Sequence, residues 1–224
     1  MYTVASMSGC RINPTPLRSR VFFLLKVWYS ESMKMDKVAG SGNDEFYTPA
    51  YAIEPLLKYL RTHTHIHTQR PLNIWCPFDT SDSLFVQILR KEGHRVVNTH
   101  LETGHDFFVT DPPRGVDVIV SNPPYSLKNE VFQRLFSLGI PFAMLVGVVG
   151  LFESKLRFEL FRDNEFEVMY MDKRVSYFKD YADQKPALNP PFSSVYLCSK
   201  LLPEKIVFEQ IDKKKLRVED LYTQ

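Results

Sequence analysis

Asn122-Pro123-Pro124-Tyr125 has the residue types and spacing to do chemistry, and it follows directly on the apolar run Val116-Asp117-Val118-Ile119-Val120-Ser121. That run reads as a buried strand. The Asn122 side-chain oxygen and the Pro123 carbonyl are hydrogen-bond acceptors, and the two prolines remove the backbone N–H groups that would compete for them. The Tyr125 ring offers a flat face for stacking, a contact worth about 1–3 kcal/mol per base in nucleic-acid systems. Together these groups suit the capture of a planar NH2. An aromatic amine such as adenine N6 is a poor nucleophile because its lone pair is delocalised into the ring. Acceptors on its N–H bonds would favour a tetrahedral nitrogen able to attack a methyl sulfonium. Asn122, Pro123, Pro124 and Tyr125 are therefore the expected catalytic set. A strand entering an ordinary polyproline-type turn would use the same tetrapeptide; the asparagine at the strand end favours the chemical reading.

The elements that must position this set are legible from Asp44 onward. Thr48 and Pro49 open a helix as N-cap and first helical residue, with Ile53, Leu56, Leu57 and Leu60 at helical spacing. Strands are expected over Leu72–Pro77, Arg95–His100, Val116–Ser121, Pro141–Val149 and Phe166–Met171, with late strands over Ser193–Cys198 and Ile206–Gln210. Helices are expected over Ser83–Lys91 and Glu130–Leu138. Apolar strands alternating with helices imply an α/β, three-layer, doubly wound, mostly parallel sheet, in which ligands bind outside the carboxyl ends of the strands. His63, His65 and His67 alternate through a polar stretch that reads as a solvated linker rather than a metal site.

Length and composition fit that frame. The chain has 224 residues, 44% apolar and 24% charged, with a formal charge of +2, which describes a globular protein and leaves the partner open. Cys10, Cys76 and Cys198 are widely spaced and odd in number, so neither a disulfide framework nor a zinc motif emerges. No apolar stretch approaches the roughly 20 residues of a transmembrane helix, and a cytoplasmic setting is expected. Residues 1–30 carry Arg11, Arg18, Arg20 and Lys26 with no acid, and Ala39-Gly40-Ser41-Gly42-Asn43 reads as a linker. Residues 1–42 are expected to be a dispensable extension and residues 43–224 the functional domain.

Asn122-Pro123-Pro124-Tyr125, with Phe46-Tyr47-Thr48-Pro49 upstream, resembles the class I S-adenosylmethionine-dependent N6-adenine DNA methyltransferases, and in particular small methyltransferase-like proteins of bacteriophages and prophages. The likeness runs from about Asn43 to Asp212 and implies a Rossmann-like fold, S-adenosyl-L-methionine as cofactor, DNA as partner and a bacterial or phage-infected host cytoplasm. Tyr47, Thr48 and Pro49 match the segment that holds the methionine part of the cofactor. Cys76, Pro77, Phe78 and Asp79 begin the cofactor loop, His100 to Glu102 fall where an acid binds the ribose, and Asp106 and Phe107 match the pair that meets the adenine. The chain departs from the family in that loop, with Cys76 in place of an acid and Thr80 and Asp82 in place of glycines. Glycine lets the backbone approach a ligand, so the cofactor geometry must differ, with Asp79 or Asp82 as replacement carboxylates.

On the substrate side, Tyr177, Phe178 and Phe192 are candidate aromatic walls for an extruded base; each is also an ordinary candidate for core packing. Phe192 closes Asn189-Pro190-Pro191-Phe192, an echo of the catalytic tetrapeptide. Lys173, Arg174, Lys179, Lys185 and Lys213-Lys214-Lys215 are candidate phosphate contacts or simply a solvated face. Three other readings stand beside the DNA methyltransferase. One is a methyltransferase of RNA or protein glutamine, and another a non-catalytic nucleic-acid-binding protein on a degenerate fold. The third, a nucleotidyltransferase, lacks paired metal-binding carboxylates and phosphate-cradling glycines.

Overall fold

The computed structural model describes residues 46–62, 70–188, 190 and 192–223. The expected extension at residues 1–42, His63, His65, His67, Asn189 and Pro191 lie outside them. Strands β1 (Asn73–Cys76), β2 (Arg95–Asn98), β3 (Val118–Ser121), β4 (Phe142–Gly147) and β5 (Glu167–Met171) are followed by a short hairpin, β6 (Tyr177–Phe178) and β7 (Pro186–Leu188). Two further strands, β8 (Ser194–Ser199) and β9 (Ile206–Glu209), complete a seven-stranded sheet of order β2-β1-β3-β4-β8-β5-β9. Its pairings are parallel except those of β8, which runs antiparallel to both β4 and β5.

Helices α1 (Ala50–Thr62) and α2 (Leu84–Lys91) cover one face, and α3 (Lys128–Leu138) and α4 (Lys155–Asp163) the other. The strand side chains sort between the faces with period two. Ile74, Cys76, Val118, Val120, Ala143, Leu145 and Tyr196 pack with Ile53, Leu56 and Phe85. Trp75, Ile119, Met144, Val146, Val195 and Leu197 pack with Val131, Phe132 and Phe161. Burial on both faces explains why the strands read as continuous apolar runs, and it confirms the expected mostly parallel, doubly wound α/β architecture. No helix among the described residues is long and apolar enough to cross a membrane.

Two expectations are corrected near the site. Helix α1 starts at Ala50, one residue after Pro49, and its first N–H groups are capped by chain carbonyls rather than by Thr48: Ala50 N donates to Leu216 O at 3.1 Å and Tyr51 N to Lys215 O at 2.8 Å. Strand β3 starts at Val118 rather than Val116; Asp117 before it bonds to β1 through its N–H on Asn73 O at 2.8 Å, and its carboxylate accepts from Asn73 N at 2.7 Å and from both terminal nitrogens of Arg70.

Candidate active site

Strand β3 ends at Ser121, so Asn122 emerges at the carboxyl edge of the sheet, between β1 and β4. Its amide is held from the Phe46–Thr48 segment: Nδ2 donates to Phe46 O at 2.7 Å and to Thr48 Oγ1 at 3.3 Å. The Phe46 carbonyl can only accept, and that decides which end of the amide is nitrogen. The other end, Oδ1, is buried and has no hydrogen-bond partner. An unmet buried acceptor costs about 1–3 kcal/mol, and in a folded protein such an atom asks for an explanation. The Phe46–Thr48 segment is itself fastened to the hairpin by an antiparallel bridge, with Phe178 N donating to Tyr47 O at 2.9 Å.

Pro124 leads into a single 3-10 turn, Tyr125–Leu127, which runs on into α3 and aims the Tyr125 ring back over the sheet edge. The Tyr125 hydroxyl shares a 2.7 Å hydrogen bond with that of Tyr177, which shares another of 2.7 Å with Ser194 Oγ. Burial pushes the Tyr177 phenol up to about 12, against the opposing effect of those two hydrogen bonds, so the link stays protonated at neutral pH. The Tyr125 ring lies 5.0 Å from Phe46 at 22° and 5.8 Å from Phe192 at 58°, with Lys128 Nζ 5.0 Å from its centroid. Of the three expected substrate residues, Phe192 borders Tyr125 by its ring, Tyr177 reaches it through its hydroxyl, and Phe178 lies within the core under α1.

The residues expected to hold a cofactor collect at the ends of β1 and β2, beside this grip. Cys76, Pro77 and Asp79 are buried, and Phe78 is half-buried. Asp79 faces inward: its carboxyl accepts from Ser83 Oγ, at the start of α2, and from Ser121 Oγ, one residue before Asn122. Burial raises its pKa to about 6, against the lowering effect of the Ser121 and Ser83 hydrogen bonds and of His100. Asp82 is exposed. His100 caps the 3-10 turn Leu101–Thr103, accepting from Glu102 N at 3.2 Å, and the largely exposed Glu102 carboxylate lies 3.7 Å from His100 Nδ1. Asp106 is half-buried, with one oxygen accepting from Phe108 N at 2.9 Å. Phe107 is only 2% exposed and wedged against Trp75 and Phe78. This donor set fits a nucleoside cofactor in its parts: a partly exposed acid (Asp106), an acid and an imidazole at the end of β2, and aromatic edges below. The carboxylate that the loop itself supplies, Asp79, is committed to holding β1, α2 and β3 together.

Phe46, Ser121 and Ser194 carry contacts that the sequence reading assigned to no role. The visible signal was the position of Ser121, next to Asn122; nothing in the sequence marks Ser194 as the partner of a tyrosine 17 residues earlier. Among the described residues no group of His, Cys, Asp and Glu side chains could hold a metal ion. A cavity of about 530 Å³ lies elsewhere, between α4 and the β5–β9 edge, lined by Phe152, Phe166, Tyr170 and Ile206 among others, and it shares no residue with this site.

Compared with known proteins, the sequence matches no family model and no curated protein. Among solved structures it is similar to one described as a modification subunit of a type I restriction enzyme from Vibrio vulnificus YJ016, at 13% identity and a TM-score of 0.42. The match covers 96% of this chain, which spans 58% of that protein's length.

Proposed function

We propose that the chain is an S-adenosyl-L-methionine-dependent methyltransferase acting on the exocyclic N6 amine of adenine in DNA. The observation that carries the reading is the orientation of Asn122, whose NH2 is occupied by Phe46 and Thr48 while its Oδ1 is buried and unpartnered. An amine N–H is the partner this oxygen lacks. The Pro123 carbonyl, in a turn stripped of competing donors, takes the second N–H. The two acceptors draw the nitrogen toward a tetrahedral shape, and the Tyr125 ring, pinned through Tyr177 and Ser194, holds the base plane. Tyr47, Thr48, Pro49, Pro77, Phe78, His100, Glu102, Asp106 and Phe107 are the residues at hand to hold the cofactor. When bound, S-adenosyl-L-methionine supplies an electrophilic methyl group on a sulfonium. The proton shed by the methylated nitrogen leaves for solvent.

Methyl transfer from radiolabelled cofactor to DNA, RNA and protein pools tests this reading, with calorimetry on the cofactor alone. Label in DNA adenine supports it. Label in protein glutamine would shift the substrate while keeping the grip, because Asn122 Oδ1 serves a primary amide as well as an aromatic amine. Asn122→Ala is expected to keep its cofactor heat and lose about 100-fold or more in kcat, the scale of removing one preorganised transition-state contact. A variant that turns over as fast as wild type would remove Asn122 from the chemistry. A second reading, a nucleic-acid-binding protein without catalysis, is favoured by one observation, the inward commitment of Asp79. Absence of cofactor heat with retained oligonucleotide binding would establish it instead.

A further inference from the structure

Phe46 stands outside the expected catalytic and binding sets, yet it touches both halves of the amine grip. Its carbonyl accepts from Asn122 Nδ2, and its ring stacks on Tyr125 with 5.0 Å between centroids and 22° between planes. The Tyr177 ring is 5.2 Å away at 59°. A flat ring therefore already lies on the tyrosine that is to receive a flat substrate, next to an acceptor that is buried and unmet. Both observations concern the place where a planar amine would sit. We propose that the Phe46 ring is a placeholder for the substrate ring, closing the amine pocket over Asn122 Oδ1 whenever no substrate is bound and turning off Tyr125 as a planar amine enters. This rests on the reading of Asn122 and Tyr125 as the grip on the amine.

The backbone and the side chain of Phe46 then have separate tasks. The carbonyl stays in place, because the next residue, Tyr47, is bridged to Phe178, and it keeps Asn122 oriented. The ring leaves by changing rotamer, which disturbs no backbone hydrogen bond. A pocket that is open in only a fraction of molecules binds more weakly by that fraction. A stacked aromatic pair biases such a population about two- to tenfold. That bias weakens a free ring and a polymer-borne ring by the same factor, and a base whose strand gains contacts elsewhere has affinity to offset it, so the substrate class proposed is a ring carried on a polymer.

Binding of free adenosine and of a short single-stranded oligonucleotide with one adenine is to be measured by calorimetry for wild type, Phe46→Ala, Phe46→Leu and Tyr125→Ala. Methyl transfer is recorded in parallel, and circular dichroism checks each fold. Phe46→Ala and Phe46→Leu, the latter keeping apolar bulk without a flat ring, are expected to tighten adenosine binding by up to about tenfold and oligonucleotide binding by the same factor. Tyr125→Ala is expected to lose both ligands. Unchanged or weaker adenosine binding in both Phe46 variants, while wild type methylates, overturns the placeholder and leaves the methyltransferase reading standing. If no form binds or methylates any planar amine, the grip falls and the placeholder falls with it.

Discussion

Gly147 closes β4 without a side chain, and the Phe192 ring occupies the space a side chain would take: an added Cβ would stand 2.6 Å from Phe192 Cε2. No real Cβ contact is that short, so the absence of one methyl group fixes where the ring beside Tyr125 sits. Gly147→Ala is expected to displace Phe192 from Tyr125, and because a half-buried ring can swing aside the stability loss should stay at the low end of overpacking, about 1 kcal/mol. Adding Phe192→Leu to that variant should restore the denaturant midpoint without restoring substrate affinity. Unchanged substrate affinity in Gly147→Ala would show that the ring does not lie on Gly147. Tyr125 depends on the same neighbourhood from its other end, since its hydroxyl is tied to Tyr177 and through it to Ser194 on β8.

At the next scale, Asp79 joins three elements: its own loop after β1, Ser83 ahead of α2, and Ser121 at the end of β3. Burial raises its pKa from 3.8 to about 6, so the folded state holds the proton more tightly than the unfolded chain. The stability this contributes is fully present below pH 3.8 and is lost as pH rises through 6, a change of roughly 3 kcal/mol. Asp79→Asn removes the titrating group, so the stability of wild type relative to the variant should fall by about that amount between pH 4 and pH 7 in urea unfolding. A difference that is flat with pH would mean the carboxyl is not buried as described. The elements themselves were largely legible, because strands buried on both faces read as apolar runs and the NPPY turn carries its own chemistry. Helix α4 was not, and the reason is physical. Its apolar residues mark its buried face poorly: Phe161 is buried but Phe158 is 62% exposed, whereas Arg157 is buried with its guanidinium on the carbonyls of Leu151 and Gly150 and on Asn129 Oδ1. The β6–β7 hairpin was missed because its strands are too short to show a period. The placement of Thr48 on Asn122 depends on carbonyls near the far end of the chain capping α1, a contact no local pattern encodes.

Across the molecule, much of the expected basic surface is tied down by its own chain. Lys173 Nζ donates to Ile211 O, Lys213 Nζ to Ser176 Oγ, and Lys215 and Lys185 pair with Glu54 and Asp183. Among the described residues of those groups, Lys173, Lys185 and Lys213 stay exposed beside these contacts, as do Arg174, Lys179 and Lys214, and the internal contacts leave fewer of them for a phosphate backbone. The grip on a nucleic acid would then lean on the pocket and its aromatic walls more than on charge, and its salt dependence would be shallow.

The antiparallel strand has a consequence for the order in which the molecule can be assembled. Strand β8 lies between β4 and β5 but follows both in the chain. During synthesis β2, β1, β3 and β4 emerge with everything needed to pair, whereas β5 and β9 have no route into the sheet until residue 199 is made. The topology predicts that in ribosome-bound chains arrested short of residue 199 the β1–β4 amides are protected from hydrogen exchange while those of β5 are not. Protection of β5 in the arrested chains would rule this out. Asn122 belongs to the early half, and Tyr177, Phe192 and Ser194 to the late one. A nascent or partly refolded chain would therefore display the asparagine and its prolines before it owns the walls that make them selective.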